Sequence, residues 1–159
     1  MSVDDTGCFV ASCADDGSVV VSESATPSGG WEPVDTHPSP RPLRALAIDP
    51  AYARRGEQLV VSGGCAGELS LLRRGWFGKR EHTALHHGEG TISRVAWCAG
   101  TTLLAWANEH GVKVMDVERG EPITFVERPP SSRHVDAEGC RCALHWAGEG
   151  ELLIGWADV

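Results

Sequence analysis

The chain has 159 residues, 42% of them hydrophobic and 23% charged, which is enough material for one packed core. Its 22 acidic side chains outnumber 14 Lys and Arg, for a formal net charge of −8. Phosphate neutralisation by basic groups supplies most nucleic-acid affinity, so an acidic chain with no basic cluster excludes nucleic acid as a partner.

In chain order, residues 1–6 of MSVDDTG are acidic and carry neither the basic nor the apolar part of a secretory signal. They are expected to be a disordered amino terminus. The six cysteines are then expected to be reduced thiols of a cytosolic protein, several of them packed as small apolar residues. Residues 7–23 predict a hairpin, CFVASC followed by SVVVSE. Residues 24–42 hold prolines 27, 33, 38, 40 and 42 with glycines and serines but no hydrophobic period, and predict a loop. From Leu43 the apolar runs are continuous, with strands over 43–48, 58–62, 68–73 and about 82–85. A second series covers 92–97, 102–107, 112–117 and 122–127. Loop 128–139 then leads to strands 141–146 and 151–156. LLAWA and LLIGW are apolar on both faces, as strands buried between stacked sheets are. No stretch predicts a long helix, nor the roughly 20 apolar residues of a membrane span.

Three of these strands repeat. RALAIDP (44–50), SRVAWCA (93–99) and CALHWAG (142–148) end on Ile48, Trp97 and Trp146, spaced at one fixed interval of about 49 residues. The hairpins repeat as well, around Ala14-Asp15-Asp16-Gly17, Gly64-Cys65-Ala66-Gly67 and Asn108-Glu109-His110-Gly111. Glycine in the last position supplies the positive φ that a tight hairpin needs. Short strands on such a period define a β-propeller, built of four-stranded blades and used mostly as a docking platform. The expected fold is all-β, a partial WD-repeat-like propeller of two full blades and two half blades with the ring not closed. Residues 7–23 form a partial blade, 43–91 and 92–139 the full ones, and 140–159 the start of a truncated blade. Unpaired strand edges predict that the isolated chain self-associates.

Chemistry-bearing groups are few. Cys140, Cys142, His134 and His145 are the raw material of a zinc site. One residue between the cysteines is fewer than structural zinc favours, and His145 falls on the face opposite Cys142. His86, His87 and Glu89 lie in a glycine-bounded segment, HHGEG, that predicts a blade-to-blade turn. Gly63-Gly64-Cys65-Ala66-Gly67 is followed by a strand and has no lysine, which a phosphate loop of the nucleotide-triphosphate type needs. Trp97, Trp106, Trp146 and Trp156 sit in apolar strands and are expected in the core. Trp76 and Phe77 differ, because they stand between Arg73-Arg74-Gly75 and Gly78-Lys79-Arg80, outside a strand. Trp76, Phe77, Lys79 and Arg80 are the candidate contact for a protein partner or an anionic lipid surface.

The stretches LHHGEGTISRVAW (85–97), LLAWANEHGVKVMDV (103–117), ITFVERP (123–129) and LLIGW (152–156) resemble, in order, the amino-terminal propeller of the vacuolar protein sorting-associated protein 41 family. SCADDGSVVV (12–21), ALAIDPAYARR (45–55) and GGCAGELSL with RRGWFGK (63–79) continue the likeness upstream. The likeness is nearest to plant and algal forms and leaves out 24–42. It implies a subunit of the homotypic fusion and vacuole protein sorting (HOPS) tethering complex, acting without enzymatic activity or cofactor in traffic to the vacuole or lysosome. It further implies other tethering subunits, a Rab-family GTPase or adaptor proteins as partners, and a cytoplasmic location peripheral to late endosomal and vacuolar membranes. In the family a further blade precedes the region starting at Gly7, and an α-solenoid and a zinc-binding RING-like segment follow the propeller.

Overall fold

A computed structural model describes residues 1–24, 29–75, 78–130 and 142–157. Among these residues there are fourteen β-strands and no α-helix. The first sheet holds β1 (Ser2–Val3), β2 (Phe9–Cys13), β3 (Ser18–Ser24) and β4 (Trp31–Pro38). The second holds β5 (Leu43–Ile48), β6 (Val60–Gly64), β7 (Leu69–Arg74) and β8 (Arg80–His86). β9 (Arg94–Trp97), β10 (Leu103–Ala107), β11 (Gly111–Asp116) and β12 (Glu121–Glu127) make the third, and β13 (Cys142–Gly148) with β14 (Glu151–Trp156) the fourth. Every pairing is antiparallel between chain neighbours, the meander of a propeller blade.

The repeated hairpins form where the sequence places them. Gly17 donates to Ala14 O (3.0 Å) and Gly67 to Gly64 O (3.1 Å), with φ of 84° and 66°. Gly111 serves another need, since a Cβ there would lie 2.3 Å from Val126 O and 2.7 Å from the Phe125 ring.

Three core clusters join the sheets in succession. Ala11, Val19 and Val21 of the first sheet meet Leu46, Ile48, Val60 and Leu72 of the second. Ala47, Val61 and Leu71 meet Trp97, Leu104 and Trp106 of the third. Ala105, Ala107, Val112 and Val114 then meet Cys142, Leu144, Trp146 and Trp156 of the fourth. Each anchor of the 49-residue repeat therefore points at the preceding sheet. Two of them also bond to it: Trp97 Nε1 donates to Ala47 O (3.3 Å), and Trp146 Nε1 to Ala96 O (3.1 Å). Donor and acceptor move together by one repeat, so the sequence period is a physical inter-sheet contact. No core cluster among the described residues joins the fourth sheet to the first, and the ring is open.

Two expectations are corrected. Residues 1–6 contain β1, which pairs Ser2 with Ala11 and Val3 with Val10. Asp4, only 4% exposed, fixes the following turn by accepting the N–H groups of Cys8 and Phe9 and the hydroxyl of Thr6. The expected loop 24–42 contains β4, the outer strand of the first sheet. Pro33 is tolerated there because the ladder shifts register opposite it, between Val21 and Ser22, and an outer strand has one row of unused donors. The described residues therefore make three four-stranded sheets and one hairpin, rather than two full blades and two halves.

Candidate functional site

Of the four candidate contact residues, Trp76 and Phe77 lie outside the described residues. Lys79 is exposed in the turn between β7 and β8, closed by Gly75 N–H to Lys79 O at 2.7 Å. A Cβ at Gly75 would lie 2.6 Å from Glu81 Oε1, the movable end of an exposed side chain.

Arg80 has a different task from the one its position in the sequence implies. It opens β8 and turns inward, 13% exposed, into the seam between the first and second sheets. Its guanidinium pairs with Asp35 of β4, donates Nη1 to Gln58 O (3.1 Å) and Nη2 to Tyr52 OH (3.2 Å). Asp35 also has His37 Nε2 2.7 Å from its other oxygen. Burial alone would raise the Asp35 pKa, but the contacts from His37 and Arg80 outweigh it and hold the carboxyl below the usual carboxylate range. Arg80 is thus a tie between two sheets, not a free cation.

The wall of this seam comes from a segment that the sequence presents as a plain loop. The β5–β6 connection, residues 49–59, is more than twice as long as its counterpart at 98–102. Asp49 bends it by accepting Ala51 N–H (2.9 Å), which lays Tyr52 against Phe9 with ring centroids 5.1 Å apart. Tyr52 is 1% exposed, and burial raises its phenol pKa, an effect that the Arg80 charge partly offsets. Gln58, at the end of the same segment, has φ of 46°, the left-handed region that non-glycine residues seldom enter. Two arginines hold it there. Arg80 takes its backbone oxygen, and Arg74 Nη1 donates to its side-chain oxygen at 3.0 Å. Together Phe9, Asp35, Tyr52, Gln58, Arg74 and Arg80 line a polar cavity of about 340 Å³.

Of the remaining sequence candidates, the described ones are placed as follows. Cys142 is 3% exposed and faces the third sheet, while His145 is exposed on the other side of β13; Cys140 and His134 lie outside the described residues. HHGEG is a connection between sheets. Gly88 N–H donates to Gly67 O (3.2 Å), and Glu89 O accepts Asn108 Nδ2 (2.6 Å) while its carboxylate pairs with Lys113. His86 sits against Trp106, ring centroids 5.4 Å apart, and burial followed by the Lys113 charge lowers its pKa.

A family model, Beta-prop_Vps41 (Vps42 beta-propeller), matches residues 1–159. The chain belongs to the Vps41 β-propeller family. Curated relatives agree across nearly its whole length. It is 37% identical over 156 residues to the vacuolar protein sorting-associated protein 41 homolog of Arabidopsis thaliana, covering 98% of this chain and 15% of the relative. The homolog of Solanum lycopersicum is 41% identical over 153 residues, covering 96% and 15%. The protein of Schizosaccharomyces pombe is 35% identical over 158 residues, covering 99% and 17%. The chain thus spans about one-sixth of the length of these relatives. The propeller architecture expected from the repeat is the architecture of this family.

The sequence reading named Arg74 only as a flanking cation and missed Tyr52, Gln58 and Asp35. The one available signal was the uneven length of the two connections between inner and second strands.

Proposed function

We propose that this chain is a non-enzymatic protein-interaction module of a membrane-tethering subunit, acting in vesicle-mediated transport to the vacuole or lysosome. The observation that carries this reading is the family match over all 159 residues. Its place of action is the cytoplasmic face of late endosomal and vacuolar membranes. Its partners are the other tethering subunits and a Rab-family GTPase or adaptor, bound through the propeller surface without catalysis.

The candidate contact is the segment joining β7 and β8, with Trp76, Phe77 and Lys79 as the proposed contact residues and Arg80 fixing the segment's end against the first sheet. An aromatic pair beside a cation is the composition of an interface anchor. Replacing Trp76 and Phe77 by alanine in the fluorescently tagged protein should leave its level unchanged and weaken its co-localisation with a late endosomal or vacuolar membrane marker. Unaltered recruitment would remove the turn from the proposal, and a tagged protein that never meets these membranes would overturn the proposal itself.

A further inference from the structure

We infer that the polar cavity between the first and second sheets receives an acidic side chain from a peptide segment of a partner protein. This inference rests on the interaction-module reading and assigns that module a specific pocket.

The cavity wall is unbalanced in hydrogen-bonding sense. Its central carboxylate, Asp35, is already engaged by Arg80 and His37. What is left over is donors. Tyr52 accepts from Arg80 and keeps its own proton to give. Arg74 uses one nitrogen on Gln58 and has no ion-pair partner among the described residues. Gln58 spends its side-chain oxygen on Arg74, and its NH₂ has no partner among the described residues. Two neutral donors beside a guanidinium fit an oxyanion, and arginine holds a carboxylate by two parallel bonds.

The backbone adds a second sign. Gln58 is the one described non-glycine residue with positive φ, and it stays there because Arg74 and Arg80 each take one of its oxygens. Strain retained in this way clusters at binding sites. Val34, 50% exposed on the rim, gives the stem of an incoming side chain an apolar surface, and Lys79 stands exposed in the adjoining turn. Glu23, also on the rim and exposed, is the opposing charge that remains once Asp35 is paired with Arg80.

The electrostatics favour a peptide over a membrane. A chain of net charge −8 is repelled by an extended anionic surface, whereas one carboxylate on a flexible peptide needs only the local donors within a Debye length of about 8–10 Å.

The test is fluorescence anisotropy of a fluorescein-labelled peptide with a single glutamate flanked by glycine and serine, titrated with the full 159-residue chain. Wild type should bind, and Arg74→Met should weaken binding about tenfold or more, as expected for loss of a charge-assisted pair. Arg74→Lys should recover part of the loss. Arg119→Met, whose side chain is 73% exposed in the turn between β11 and β12, should bind as wild type. Equal binding by wild type and Arg74→Met, or no binding by wild type, overturns the inference. Arg74-dependent binding to phosphatidylserine vesicles with none to the peptide overturns it in favour of a lipid headgroup. None of these outcomes touches recruitment to late endosomal membranes, so the pocket and the module reading fail separately.

Discussion

The seam between the first and second sheets and the seam between the second and third are held by different chemistry. The second-to-third seam is built on an apolar core, with Trp97, Leu104 and Trp106 buried and one indole bonded to the neighbouring sheet. The first-to-second seam has Ile48 where its successors have tryptophan, and its cluster is built from smaller side chains. On its outer side a long connection brings in Tyr52, and Arg80 and Asp35 tie the sheets together. Where a repeat lacks the indole, a polar tie has formed at the rim. A rim tie leaves its unused donors near solvent, which is how a structural seam becomes a place to bind.

The largest test of this contrast is Trp97→Ala. It removes a side chain only 8% exposed and should cost about 3–5 kcal/mol in urea denaturation. Trp97→Phe keeps most of the bulk and loses the bond to Ala47 O, so it should cost nearer 1 kcal/mol. Equal effects from the two would show that the indole bond, not the packing, joins the sheets.

Arg80→Met should act on the other seam, with a smaller loss of about 1–3 kcal/mol because Asp35 is left half-buried beside His37 alone. Its signature is spatial. Hydrogen exchange should speed up in β3 and β4 while β10 and β11 keep their protection. Uniform acceleration would mean that the sheets do not open one at a time.

Acid should separate the seams in order. His86, at the second-to-third seam, has its folded pKa lowered, so the unfolded state binds its proton first. Stability from this group is complete above the unfolded value near 6.5 and falls as pH drops below it. Asp35 has a lowered folded pKa as well, but as an acid. Its contribution is present above the unfolded value near 4 and is lost only as pH falls through the folded one. Stability should therefore decline between pH 7.5 and 5.5, and His86→Gln should flatten that decline. An unchanged slope in His86→Gln would assign it to another group.

Much of the fold is legible in the sequence because a repeat states the same physics three times. Ile48, Trp97 and Trp146 all face the preceding sheet, and Gly17 and Gly67 close equivalent turns. What the sequence hides is whatever occurs once. β1 is two residues long, too short for a period of two to show. β4 carries Pro33 and Pro38, which read as a break, yet a proline at a bulge on an outer strand removes no ladder bond that the sheet needs. The cavity is hidden for a further reason: Asp35 and Arg80 are 45 residues apart, and neither lies in a repeated position. Arg80 looks free in RRGWFGKR because its partner belongs to the strand that the prolines disguise.

The most direct test of the central claim is affinity purification of the tagged protein, expressed from its native locus, followed by mass spectrometry. An interaction module of a vacuolar-sorting subunit should bring down the other tethering subunits together with late endosomal machinery. An abundant, soluble protein that recovers none of them would contradict the claim and leave only the propeller architecture.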